Sequence, residues 1–244
     1  MTNNLRFKAA GAVTTGRLHL QTGRPCDDVV GRLVRRKDGA VIALADGAGS
    51  ACHGGQGAAI AVAAALAALR TNPHMPLTGA VAAARRAVER AGGPQLADYA
   101  TTLQIARIVR DGSGLRVDTV QIGDGAIVAG DPDTPLTVLN APARGEAFNE
   151  THFLTSASWE RNSQETSLTM SMNAGLAAMS DGTVPVLLSG DGTRVAMAVN
   201  HILRWGRQMS RDDWEASIAA ALREDLRPLL PDDLSLAAVV VVPR

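Results

Sequence analysis

The sequence predicts an α+β fold, antiparallel sheet with helices laid against it, and three stretches carry that prediction. Residues 101–109 and 115–122 are apolar runs separated by Asp111, Gly112, Ser113 and Gly114, a hairpin signature. Residues 55–70 and 77–91 read as two helices joined by the proline-containing break TNPHMPL, short enough for an antiparallel pair packed on a sheet. The final stretch, LSLAAVVVV, is a β-branched run suited to a central buried strand.

In chain order, residues 9–20 mix alternating and small residues as an opening strand does, and residues 29–34 supply a second strand. Between them TGRPCDDVV reads as a polar turn holding Arg24, Asp27 and Asp28, with His19 upstream. Arg35, Arg36, Lys37, Asp38 and Gly39 read as a hairpin turn into residues 41–45, VIALA, a buried strand that ends in Asp46 and Gly47. An alanine-rich helix opens near Gly55, and Gly92, Gly93 and Pro94 stop its successor. Residues 126–129 continue as a strand after Gly123, Asp124 and Gly125. From 130 to 172 the chain is rich in Asp, Pro, Thr, Ser and Asn, with short apolar pieces at 136–139 and 152–154. Strands joined by long surface loops are expected there, with room for a flap over a site. Residues 175–179 lead into Ser180, Asp181 and Gly182. Residues 193–208 and 212–226 then read as helices, the second opened by an N-cap cluster at 210–213 and closed by Pro228.

The 244 residues suffice for one large domain or two small ones, with a sizeable core. Apolar residues make up 46% and aromatics only 3%, so that core is built from Ala, Val, Leu and Ile. Lys+Arg and Asp+Glu balance at 24 each, which argues against nucleic acid as a partner. The N-terminal residues lack an apolar leader and no window reaches 18 uninterrupted apolar residues, so a soluble cytoplasmic protein with no membrane partner is expected. Cys26 and Cys52 are too few for a disulfide framework and lack zinc-finger spacing.

Asp recurs at the edges of buried strands: Asp27/Asp28, Asp46, Asp124, Asp181 and Asp232/Asp233. Any one of them could simply cap a turn. If several converge, their mutual repulsion calls for a cation between them. An all-oxygen donor set, without a His or Cys cluster at coordinating spacing, selects magnesium or manganese ahead of zinc or copper. Two such ions would activate a water against a phosphate ester.

The ordered set GRPCDD, ALADGAGSA, ATTL, IGDG, MSDG and DDLSLAAVVVV resembles the metal-dependent type-2C serine/threonine protein phosphatases (the PPM class), in particular their compact bacterial branch. The resemblance spans residues 16–242. It implies a single domain over 1–244, built as a four-layer α/β/β/α sandwich of two antiparallel sheets flanked by helix pairs. It further implies a centre of two Mn2+ or Mg2+ ions, with a third, weaker one. By the same resemblance Asp46 bridges two ions, Gly47 lends its carbonyl, and Asp181 and Asp232 complete the first ion. Asp28 holds ion-bound water near the phosphate, and Asp124 takes the third ion. A hydroxide between the ions would attack phosphorus in line, and the substrate would be a phosphoserine or phosphothreonine protein, the target of a cognate kinase. A monomer is expected.

Three positions depart from the family pattern. Asp27 stands where Glu or Gln is usual, and Asp233 where Asn is frequent. The phosphate-gripping Arg normally lies five residues before the first aspartate, which is Gly23 here, with Arg24 displaced by one. His19 is the other candidate, as phosphate contact or as general acid toward the leaving alcohol. The competing reading of the chain is a catalytically silent module that binds or regulates a phosphoprotein. A hydrolase of small phosphoesters is a third.

Overall fold

The computed structural model describes residues 5–35, 38–143 and 151–243. Among the described residues ten strands form: β1 (Leu5–Thr14), β2 (Asp28–Arg35), β3 (Gly39–Asp46), β4 (Leu103–Asp111), β5 (Gly114–Ile122), β6 (Ala126–Gly130), β7 (Thr137–Asn140), β8 (Gln164–Met170), β9 (Gly175–Met179) and β10 (Leu234–Pro243). They pair antiparallel into two five-stranded sheets, ordered β1-β10-β9-β6-β7 and β2-β3-β4-β5-β8. The helices are α1 (Arg17–Thr22), α2 (Gly54–Thr71), α3 (Leu77–Gly92), α4 (Val184–Leu187), α5 (Met197–Gln208) and α6 (Arg211–Ala220).

Three apolar layers hold this together. Phe7, Ile42, Leu44, Ile108, Leu176 and Val239 fill the space between the sheets. Val41, Ala43 and Ile105 face outward onto Ala58, Ala65 and Val81 of the α2/α3 pair. On the other side Ala126, Leu236 and Ala238 meet Ile202 of α5 and Trp214 of α6. Burial of both sheet faces explains why residues 41–45 and 236–242 are continuously apolar, with no alternation. The four-layer sandwich with helix pairs outside is therefore the observed architecture. Among the described residues no helix is long and apolar enough to cross a membrane.

Some elements differ from expectation. The opening strand stops at Thr14, and residues 17–22 are helical. Gly16 lies against the backbone of Asp232, where a Cβ would collide, and the Leu18 amide donates to Pro231 O at 3.0 Å. Gly23, at φ 69°, closes the helix in the left-handed conformation that glycine adopts without strain. The strand β8 has a half-buried, polar alternation that hides its partnership with β5. Residues 152–154 are turn and coil rather than strand, and α5 begins only at Met197, because Asp191 accepts from the Thr193 amide in a local turn. Residues 221–226 continue α6 as a π-helical turn. The expected hairpin turn includes Arg36 and Lys37, which lie outside the described residues.

Candidate metal centre

Antiparallel register brings the strand ends beside Asp28, Asp46, Asp124, Asp181 and Asp232 to the same end of the sandwich. Asp28 opens β2 directly opposite Asp46, which closes β3, and this pairing places their Cβ atoms about 5 Å apart. Ile122 ends β5 opposite the start of β4, with Asp124 two residues on. In the other sheet Met179 ends β9 between Ala126 and Leu236, so Asp124, Asp181, Asp232 and Asp233 all stand at this end.

The loops there are tightly tied. The Asp46 amide donates to Thr102 Oγ1 at 2.9 Å, and its carbonyl accepts from Thr101 Oγ1 at 2.9 Å and the Thr102 amide at 2.8 Å. Gly47 donates to Asp27 O at 3.1 Å and lies so close to the Gly54–Gly55 backbone that any side chain would collide. The Gly182 amide donates to Asp181 Oδ1 at 2.6 Å, and the Asp233 amide to Asp232 Oδ1 at 2.9 Å.

Electrostatically these carboxylates are uncompensated. Burial raises Asp28 to about 7, the Asp181 charge adding to the rise while Ser235, Asp46 and Ser180 moderate it. Burial also holds Asp46 well above its ordinary value, and the charges of Asp28 and Asp181 push further. Asp181 rises to about 6 through burial and then the charge of Asp124, with Asp232 contributing. Both carboxylate oxygens of Asp28 are buried with no well-aligned hydrogen bond, although Ser180 and Ser235 stand close enough to moderate its rise. Buried acceptors of this kind, in an all-oxygen set, fit a hard divalent cation. The structure thus brings Asp28, Asp46, Asp124, Asp181 and Asp232 into one interacting group.

His19 and Arg24 sit beside that group in another arrangement. His19, on α1, places Nδ1 2.9 Å from Asp233 Oδ2, a close approach without hydrogen-bond alignment. Asp233 Oδ1 accepts from the Gly16 amide and Oδ2 from the Asp27 amide, each at 2.7 Å. Ligating atoms of His19, Asp27 and Asp233 all fall within 4.8 Å of one another. Each oxygen of Asp233 already accepts from a backbone amide, so this trio fastens α1 and the start of β2 to β10. Arg24 bonds Asp27 Oδ2 and Gly49 O, both at 3.0 Å, with its head 41% exposed at the rim of the mouth. Burial, then the Asp233 and Asp28 charges, drive the Cys26 thiol far up, which keeps it protonated and inert.

Several contributors were not identified from sequence. Thr101 and Thr102 stood in the ATTL segment without an assigned role. Thr151 donates to Asp124 Oδ2 at 2.6 Å, and the segment behind it is strapped down: Leu154 donates to Thr101 O at 2.8 Å, while Arg85 of α3 holds the carbonyls of Leu154 and Ser156. Phe153 packs on Ala48, Ala51 and Ala100, beside the loop after Asp46. Under the Asp124 turn, Gln104 Nε2 donates to Gln121 Oε1 at 2.9 Å and Gln121 Nε2 to Gly125 O at 2.8 Å. A buried Gln pair in facing strands was a legible signal, since amides are rarely placed in a core without partners.

Two antiparallel sheets between helix pairs, with a carboxylate mouth at one end, define the architecture of metal-dependent protein phosphatases. The chain belongs to the protein phosphatase 2C family, whose model matches residues 15–226. Solved structures agree on the fold. The catalytic domain of the serine/threonine protein phosphatase PstP in complex with 2 manganese ions is 21% identical, covers 98% of this chain and 99% of its own, and superposes with a TM-score of 0.67. Another PstP structure, from Mycobacterium tuberculosis, is 19% identical over 96% of this chain and 98% of its own, also at 0.67. RsbX in complex with magnesium is 12% identical over 97% of this chain and 96% of its own, at 0.63. Among curated proteins none matches.

Proposed function

We propose that the protein is a manganese- or magnesium-dependent phosphatase that removes phosphate from phosphoserine or phosphothreonine in other proteins. The observation that carries this reading is the convergence of Asp28, Asp46 and Asp181 in one buried mouth with no well-aligned hydrogen bond to Asp28. Asp46, Asp181 and Asp232, with the Gly47 carbonyl, would hold divalent cations; Asp28 would orient water beside them and Asp124 would take a further cation. When bound, the cations neutralise phosphate charge and activate water for attack on phosphorus. The residues themselves do the positioning. Thr101 and Thr102 fix the Asp46 backbone, and Gly47 lets the next helix approach. Arg24, held over the mouth by Asp27 and Gly49, offers its remaining N–H groups to the phosphate. His19, oriented by Asp233, directs its other ring nitrogen to phosphate or to the leaving alcohol. PstP, a serine/threonine phosphatase solved with manganese, supports both the ion and the substrate class.

The test is release of phosphate from a phosphothreonine peptide by metal-stripped protein, with and without manganese, alongside Asp46→Ala. Manganese-dependent release absent from the variant is the expected result. Intact metal binding with no release, from peptide or from small phosphoesters, would instead favour the silent regulatory module, a reading to which the engagement of Arg24 by Asp27 and Gly49 lends weight.

A further inference from the structure

The opposite end of the β2-β3-β4-β5 sheet holds a cavity of about 700 Å3 that the phosphatase reading does not use. Its origin is in the strand register. Arg35, Gly39, Val109 and Arg116 form one row across four strands, so Arg35, Val109 and Arg116 project from the same face, the face that α2 and α3 cover further along. Gly39 contributes no side chain and notches the row. The helices end before this row is reached: α2 closes at Thr71, and Pro73 and His74 of the connector form the far wall. Three strand spacings separate Arg35 from Arg116, about 14 Å. Between them the floor is apolar, made by Leu33, Val41 and Val109.

The charges of this cavity are arranged for an anion. Arg107, deep in the wall, is committed: its guanidinium bonds Asp118 at 2.8 and 3.1 Å and the carbonyls of Pro73 and Met75. Asp118 also reaches Arg116 at 3.3 Å, while Asp111 stands 3.9 Å away on the exposed side. Arg35 is exposed and its side chain donates to Arg70 O at 3.2 Å. Four arginines thus stand against three carboxylates, Asp38 and Asp111 of the lining and Asp118 beside it; Arg107 and Arg116 are paired with these, and among the described residues no carboxylate pairs with Arg35. Guanidinium forks on either side of an apolar floor match a ligand with a phosphate at one end and an apolar body. The volume falls within the range of about 300–1,000 Å3 usual for small-molecule sites.

We propose that this cavity binds a small organic phosphate, its anionic group at the Arg35 end, its apolar body on Val41 and Val109, and Arg116 closing the far side of the floor. The site stands at the other end of β3 from Asp46, about 23 Å along the strand. It does not depend on the chemistry assigned to the carboxylate mouth.

The test is calorimetric titration of metal-stripped protein, in chelator, with phenylphosphonate, inorganic phosphate and neutral benzamide. Phenylphosphonate is expected to bind one site per chain, about tenfold more tightly than phosphate because its ring leaves water, with benzamide silent. Arg35→Gln combined with Arg116→Gln should weaken phenylphosphonate at least about tenfold, whereas Asp46→Asn should leave it unchanged. If the double variant melts early, Arg35→Gln alone carries the comparison, since its side chain is exposed. The proposal is overturned if phenylphosphonate does not bind, if benzamide binds equally, or if the arginine variants bind as the parent does. It is also overturned if a glutamate-rich peptide binds where phenylphosphonate does not, which would make the surface a protein-docking site.

Discussion

The strand β3 joins two ends of opposite electrostatic character. At its C-terminal end Asp28, Asp46 and Asp181 are buried together and shifted upward; at its N-terminal end lie four arginines. Asp118 and Asp28 show the contrast most directly. Burial alone would raise Asp118, yet hydrogen bonds from Arg107 and Ser167 and the charges of Arg107 and Arg116 bring it below its ordinary value. Burial raises Asp28 with no guanidinium to offset it. A fold that pairs a carboxylate with arginine at one end had the same means available at the other. Carboxylates left unpaired in a buried mouth are the mark of a partner that the chain itself does not supply.

Four perturbations sharpen this contrast. The largest effect is expected at the carboxylate end: Asp46→Ala or Asp181→Ala should lower metal-dependent turnover roughly a hundredfold to ten-thousandfold while the chain stays folded, read by steady-state kinetics and circular dichroism. Unfolding of both variants would make these aspartates structural.

Next comes stability against pH in chelator. Asp28 and Asp181 have folded values above the unfolded one, so the folded state binds more protons. Their contribution is present at low pH and is lost as pH rises from about 4 toward 7. The metal-free melting temperature should therefore fall by roughly 5 °C between about pH 5.5 and pH 8, and manganese should restore it. Asp28→Asn should flatten that dependence. Asp118 works with the opposite sign: its depressed value gives stability above the unfolded value that is lost only as pH falls through the folded one.

At the arginine end, Arg107→Met should cost about 2 kcal/mol by chemical denaturation, since it removes the buried partner of Asp118 and the donor to two carbonyls, and leave turnover at parent level. A loss of activity as large as that of Asp46→Ala would mean that the two ends are one functional unit. The smallest effect is expected at Thr151. Its hydroxyl occupies Asp124, so Thr151→Val should lower the manganese concentration for half-maximal activity about threefold. An unchanged or increased requirement would remove Thr151 from the account.

Much of this was legible in the sequence, and unevenly so. Strands with apolar runs and Asp-Gly exits were readable because burial on both faces and turn chemistry are local signals. The family resemblance then put the carboxylates at one end. The segment 17–22 was not readable, because its apolar Leu18 and Leu20 stay exposed and the helix is dictated by the close approach of Gly16 to Asp232, a contact spanning nearly the whole chain. The strand β8 escaped because Gln164, Thr166 and Ser167 satisfy themselves against β5 and β7 rather than through burial. The aspartates at the strand ends could be named from the sequence, but the clamp of His19 and Asp27 on Asp233, and the hold of Thr151 on Asp124, depend on how loops distant in sequence fold over the mouth.

The central claim is that the unpaired carboxylates form a divalent cation centre. Calorimetric titration of manganese into metal-stripped protein, in buffers of differing ionisation enthalpy near pH 7, tests it most directly. The account predicts more than one ion per chain, bound with release of protons from the raised carboxylates, and loss of that binding in Asp46→Asn. Binding that is absent, or equal in parent and variant, would contradict it.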